Sequence, residues 1–535
     1  MKYARKTLSL LLIAALMISL FSSCAGTGIL NRIDKWDTVQ LEYTLTEQDL
    51  TDFENKVAEV RDAFLNATTL DDASAAIYPL YSYYSRFIEQ SHIAEILYYC
   101  HQNDKTAEAN YLFATSATEK AGTVITELET ELYESNSAIR SEYFEGLTDE
   151  EIQSRLKLSD AVGKHNVLIS ELISDYYGNE EYADGEGRAL LYNKLILAGQ
   201  ELAELTGYEN YYEYTSDSTY YRDYGKEERN LFRDYVAEYI APLYYRAAEK
   251  YEDAYNNLSY KQTSAFAGIM ESTAYNKLEK NYLQEYIQSL KQSTASNMNH
   301  MFEKNNFICA DWSDSALAAF TTYINAPFCY FGPDAYQSLF IVTHELGHYC
   351  ASLALKTDVY SFDIGETHSQ GNEMLLLTFL KDSMDSAVYE TMVAYEIYSV
   401  THSILLATVI DHFEETIYSD PNSGSYTKED YERILTERIM PKYNLSEELK
   451  TILLSNWEEI RITSPCYYIS YATSGIAALN LFELAQKDYE AATEAYRKIT
   501  EELDETAAFT GTLKSAGIAS PFEEQSFIDL SKLIA

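Results

Sequence analysis

The stretch YQSLFIVTHELGHYCASLAL, Tyr336–Leu355, spaces its apolar residues at helical intervals and carries two histidines four positions apart. These are His344 and His348, and Glu345 directly follows the first. On a helix, positions i and i+4 share one face about a turn apart, so both rings can direct a nitrogen to a single ion. Glu345 then stands beside that ion without being forced to bind it, placed to take a proton from a water held there. HELGH is also compatible with two histidines packed on a common helix face. A hydrolytic metal site takes three protein ligands and keeps one position open, so a third ligand decides between the two readings.

Working outward, TTYINAPFCYFGPDAY (Thr321–Tyr336) is rich in β-branched and aromatic residues and ends in a Gly-Pro-Asp turn. It predicts a strand or hairpin arm immediately before the motif helix. Most of the remaining chain predicts helix. Ala117, Ala121, Val124, Leu128 and Leu132 recur at steps of three and four, the pattern of a helix burying one stripe. None of the eight prolines falls between Pro79 and Pro242, which permits long helices joined by short turns. Breaks are expected at NEEYADGEG (Asn179–Gly187) and SDPNSGS (Ser419–Ser425), where turn formers cluster. The 49 tyrosines are read chiefly as packing residues between helices.

The opening MKYARKTLSLLLIAALMISLFSSC has the layout of an export signal: Lys2, Arg5 and Lys6, an apolar run from Leu8 to Leu20, then small residues. Phe-Ser-Ser-Cys resembles the lipobox of bacterial lipoproteins, in which Cys24 would be lipidated and become the new N-terminus. The alternative is an ordinary signal peptide with an incidental cysteine. No later segment offers an uninterrupted apolar run of about 18 residues, so no membrane span is expected. The formal net charge is −44, which excludes nucleic acid as a partner because phosphate binding needs a basic face. Cys100, Cys309, Cys329, Cys350 and Cys466 are odd in number and irregular in spacing, so no disulfide framework is expected.

The third ligand is sought downstream. DIGETHSQGNEML (Asp363–Leu375) offers Glu366, then Ser369 and Glu373, with His368 as a further polar group. HELGH followed by E-x-x-S-x-x-x-E resembles the zinc signature of the thimet oligopeptidase and oligoendopeptidase F family of metallopeptidases. That resemblance implies Glu366 as the third zinc ligand; Glu373 falls on the family's second glutamate and, two turns along the same helix, is placed to brace a ligand histidine. Glu373 as the ligand itself is the competing choice. SPCYYISYATSGIAAL (Ser464–Leu479) is similar to the family's tyrosine-rich loop and helix. It implies that Tyr467 and Tyr471 face the scissile peptide and stabilise the oxyanion. The family has a histidine just upstream of that loop; here Arg461 lies closest to its place, either substituting as a cationic donor or leaving that interaction unmade. LKSAGIASPF (Leu513–Phe522) resembles the family's C-terminal signature, and the predicted strand corresponds to an edge strand to which peptide adds.

The resemblance, carried by residues 205–535, implies a mainly α, two-lobed, zincin-type metallopeptidase with a deep cleft and a small β element next to the zinc helix. The expected organisation is a lipoprotein signal peptide (1–23), a tether (24–45), an N-terminal helical region (46–204) and a catalytic region (205–535). The expected chemistry is hydrolysis of short unfolded peptides using one Zn2+ held by His344, His348 and Glu366, with Glu345 as general base. The protein is expected to be exported, lipid-anchored through Cys24 on the extracytoplasmic face of a bacterial membrane, and monomeric. A peptide-binding lipoprotein or degenerate peptidase supplying a transporter is the alternative; an intact Glu345 speaks against it.

Overall fold

The computed structural model describes residues 40–144, 148–182, 184–270, 282–310, 314–316, 318–324, 326–333, 338–354, 361–455, 457–503 and 508–534. Cys24, the signal peptide and most of the tether lie outside them.

The chain begins with a bundle of α1 (Glu47–Leu65), α2 (Leu70–Cys100) and α3 (Lys105–Ser135). Two of these helices start at a residue suited to the place: Thr69 accepts from the Asp72 N–H at 3.1 Å and Asp104 from the Thr106 N–H at 2.7 Å. The stripe expected in α3 is the one buried, with Ala117, Ala121, Leu128 and Leu132 packed against Phe53, Leu80 and Phe87 and with Val124 half-buried. α4 (Asp149–Gly178) and α5 (Gly185–Thr206) follow, and the break between them falls within the turn-rich segment expected to hold it.

Packing runs across two of the expected boundaries. The last residues assigned to the tether are docked: Leu45 is buried, and the Thr44 N–H donates to Gln90 Oε1 of α2 at 2.6 Å. The apolar core of the first bundle ends at Ile152, whereas Val162 and Ile169 of α4 and Leu191 and Leu195 of α5 join the large core of the second lobe. α4 therefore contributes to both apolar cores. Helical spacing shows that a stripe is buried, not which neighbour buries it.

A three-stranded sheet, order β1-β3-β2, joins the lobes. β1 (Phe307–Cys309) runs parallel to β3 (Pro327–Phe331), and β2 (Ala319–Tyr323) pairs antiparallel with β3 in the register Thr321↔Cys329. The stretch expected to be one strand or hairpin arm, 321–336, holds most of β2 and all of β3, two strands where one was expected; β1, three residues long, lies outside it. Ile324, Phe328 and Tyr330 pack against Ile93, Ile96 and Cys100 of α2. On the other side of the sheet lies α6 (Leu339–Ala354), the motif helix, followed by α7 (Phe362–Phe379), α8 (Ser386–Tyr418), α9 (Ile469–Lys487) and α10 (Tyr489–Glu501).

Among the described residues α8 alone is long and apolar enough to cross a membrane. Here it is a core helix, because Ile397, Ile404, Leu405, Val409 and Phe413 are fully buried in protein. It also brings Asp411 and Glu415 to the buried Arg233. None of the five described cysteines is in a disulfide, and the tyrosines pack as expected: Tyr192, Tyr418 and Tyr431 form an aromatic cluster with Trp457.

Candidate metal centre

The site is built where α6 crosses α7, and a glycine sets how closely. A Cβ on Gly347 would lie 2.4 Å from the backbone oxygen of His368 and 2.8 Å from the Ser369 Cα. Side-chain amides and phenols fasten the same crossing. Asn372 Nδ2 donates to the Thr343 carbonyl at 2.6 Å, and the Tyr496 hydroxyl of α10 donates to the His368 carbonyl at 2.8 Å. His368 itself is buried and its Nε2 bonds to the Ile499 carbonyl at 2.7 Å, so it belongs to the packing and not to the cavity.

This crossing gathers residues from both motifs. One ligand atom each from His344, His348 and Glu366 lies within 4.8 Å of the others, with His348 Nε2 3.9 Å from Glu366 Oε2. His344 Nδ1 is engaged by Glu373 Oε1 at 2.7 Å, which orients the ring and leaves Nε2 for the centre. Glu366 is thus the carboxylate that lies within reach of both histidines, while Glu373 bonds to the far nitrogen of His344. Ser369 supports Glu366 from the same helix, its hydroxyl donating to the Glu366 carbonyl at 2.9 Å. Burial opposes protonation of His344, but its bond to Glu373 and the charges of Glu345 and Glu366 outweigh it and raise its pKa to about 9. Burial dominates at His348 and lowers its pKa. Two imidazoles and one carboxylate around a point, with two further carboxylates beside them, form a donor set that fits a divalent cation.

The tyrosine loop closes the other side. Tyr467 donates to Glu366 Oε1 at 2.5 Å, so this phenol rests on the third member of the set. Tyr471, in the first turn of α9, packs edge-to-face on Tyr467 at 5.1 Å between ring centroids and lines the cavity. Burial, then the Glu366 charge, raises the pKa of both phenols, so both remain proton donors. The loop is held by Arg222, whose Nη2 donates to the carbonyls of Cys466 (2.9 Å) and Tyr467 (3.2 Å) and to Ser470 Oγ (3.0 Å). Glu414 Oε1 accepts the Cys466 N–H at 2.8 Å, where the backbone turns through φ 61°. Asp363, at the start of α7, accepts from Tyr224 and from Thr473 of α9, tying the loop's helix to the helix that carries Glu366.

Arg461 does not take the place of the family's histidine. It is buried, donates to the Trp457 carbonyl and lies 4.5 Å over the Phe413 ring, among core residues away from the cavity. The resemblance placed it by distance along the chain, but its helix, Glu459–Thr463, turns the side chain inward.

The cavity, about 410 Å3, is lined by His344, Glu345, His348, Glu366, Tyr467 and Tyr471 together with Ala319, Phe320 and Thr321 of β2, and Ser352, Phe362 and Gly365. Every expected site residue within the described chain is there except Glu373, which stands behind His344. Two residues the sequence reading passed over matter to it. Thr321 carries only a strand signal in the sequence, yet its hydroxyl donates to Glu345 Oε2 at 2.7 Å. Arg222 lies in no motif, and only its fold-distant carbonyl partners reveal it.

No protein-family model matches the sequence, and no curated protein is significantly similar to it. Solved structures share its fold. PZ peptidase A, solved with an inhibitor, superposes with a TM-score of 0.60 at 15% identity, covering 94% of this chain and 99% of that one. A Bacillus anthracis protein provisionally assigned as an oligoendopeptidase F gives 0.61 at 16%, covering 93% and 97%. A Pyrococcus furiosus carboxypeptidase gives 0.52 at 13%, covering 92% and 99%. The expected mainly helical fold with a small sheet beside the motif helix is therefore that of known peptidase structures.

Proposed function

We propose that the protein is a zinc-dependent peptidase acting on short, unfolded peptides. The observation that carries this reading is the convergence of His344, His348 and Glu366 on one point, with Glu345 and Tyr471 on the same cavity beside strand β2. His344, His348 and Glu366 would hold zinc, which when bound supplies a Lewis acid that activates water and polarises a carbonyl. Glu345 takes the proton from the attacking water and passes it to the departing amine. Tyr471 donates its O–H to the carbonyl oxygen as that atom becomes negative, an interaction stronger in the transition state than in the bound substrate. Glu373 holds the His344 ring through Nδ1, and Tyr467 holds Glu366, so both act on the donor set rather than on the peptide. This departs from the resemblance, which implies that Tyr467 as well as Tyr471 stabilises the oxyanion.

The Phe-Ser-Ser-Cys24 pattern supports export and attachment through a lipidated Cys24, placing this chemistry on the outer side of a membrane. A peptide-binding lipoprotein is the second reading. It has no use for a carboxylate placed like Glu345, which lines the cavity beside the two histidines. The deciding experiment incubates the purified protein with a mixed peptide library, maps cut sites by mass spectrometry and measures zinc content. Internal cuts distinguish an endopeptidase from trimming of chain ends. Peptides bound but left intact at full zinc occupancy refute the peptidase reading in favour of the binder.

A further inference from the structure

We infer that Thr321 is a positioning residue for Glu345, fixing one oxygen of the carboxylate from strand β2 so that the other faces the cavity. The inference rests on the peptidase reading of the same site.

Thr321 Oγ1 lies 2.7 Å from Glu345 Oε2, 3.3 Å from the Glu345 carbonyl oxygen and 3.4 Å from Cys329 Sγ. A hydroxyl has one proton to donate, and the charged oxygen at the shortest distance takes it. Among the described residues no other side chain donates to that carboxylate. The strand enforces the contact. Successive residues of a strand point to opposite faces, and the neighbouring Thr322 sends its hydroxyl the other way, to His92 Nδ1 of α2 at 3.0 Å. Thr321 is held opposite the buried Cys329 by pairing with β3, itself buried along its whole length. The donor is therefore mounted on a rigid element, while the acceptor is a side chain with three rotatable bonds.

A general base must bring an oxygen within about 2.6–3.2 Å of the proton it takes. A glutamate whose carboxylate turns freely populates that position only part of the time. Anchoring Oε2 restricts rotation of the carboxylate and leaves Oε1 as the oxygen free to take the proton. Thr321 would not touch the substrate; its effect passes through Glu345.

Thr321→Val keeps the branched shape and the strand preference while removing the donor. The expected result is a kcat lowered about tenfold to a hundredfold, the range for a reacting group misplaced by about 1 Å. KM should stay within about twofold and zinc content should be unchanged. Thr321→Ser, which restores the hydroxyl without the methyl, should recover most of the rate. In a Glu345→Gln background, Thr321→Val should change the residual rate less than about twofold, because residues acting as a unit are not additive. The inference is overturned if Thr321→Val keeps wild-type kcat, if Thr321→Ser is as slow as Thr321→Val, or if the loss persists undiminished in Glu345→Gln. A melting temperature that falls in step with the rate would assign Thr321 to packing and overturn it as well. Wild-type protein that cuts no peptide overturns the peptidase reading and this role together, whereas an active wild type with an unimpaired Thr321→Val overturns the role alone.

Discussion

Gly347→Ala tests whether the α6–α7 crossing holds the site together. The added methyl would sit 2.4 Å from the His368 backbone oxygen, where ordinary contact begins near 3.4 Å, so the helices must part by about 1 Å. Neither partner is the flexible end of a side chain: the obstacles are the backbone atoms of His368 and the Cα of Ser369. Overpacking of this kind costs about 1–3 kcal/mol, and backbone against backbone belongs at the upper end. Alanine recovers about 1 kcal/mol of helix propensity, leaving a net loss of about 2 kcal/mol. The larger effect falls on the metal. His344 and His348 ride on α6 and Glu366 on α7, so separating the helices stretches the donor set by several times the roughly 0.2 Å that metal–ligand distances tolerate. Zinc affinity, measured by competition with a chromogenic chelator, should fall at least as far as when a supporting partner is lost, about tenfold to a hundredfold. Chemical denaturation of the metal-free protein isolates the stability term. A Gly347→Ala protein with wild-type zinc affinity and stability would refute the argument that this crossing sets the ligand geometry.

Alanine at His344, His348 or Glu366 should abolish tight zinc binding by elemental analysis; full occupancy in Glu366→Ala would return the ligand role to Glu373. Glu345→Gln should keep the metal yet lose turnover by about a thousandfold or more, since an amide cannot accept the proton, and activity within about tenfold of wild type would sink the assigned mechanism. Tyr471→Phe should lower kcat by about ten- to a thousandfold with little change in KM, the mark of a donor used in the transition state. If Tyr467→Phe does so instead, the two phenols exchange roles. Replacing Cys24 by Ser should release the protein from the membrane or leave its signal uncleaved, and mass spectrometry of the wild type should find an acylated N-terminal cysteine; an unmodified N-terminus elsewhere would count against the anchor.

The features legible in the sequence are those that local geometry settles. His344 and His348 share a face because a helix repeats every 3.6 residues, whatever surrounds it. The strand character of 321–336 and the breaks around Asn179–Gly187 and Ser419–Ser425 follow from residues that favour strands and turns over a few positions. A helix stripe such as that of α3 shows that it will be buried. What the tertiary structure alone decided are contacts between residues far apart in the chain, which depend on how elements cross. Only the α6–α7 crossing sets Glu366 beside both histidines and Glu373 against His344 Nδ1, because both carboxylates lie on one helix and each could face the histidines until the neighbouring helix is placed. Thr321 reaches Glu345 across 24 positions and Arg222 reaches Cys466 across 244, through a strand and a loop whose own sequences say nothing of their targets. The same reason turns Arg461 into the core and lets α4 serve two apolar cores: burial of a face is a local property, but its partner is chosen by the packing of the whole chain.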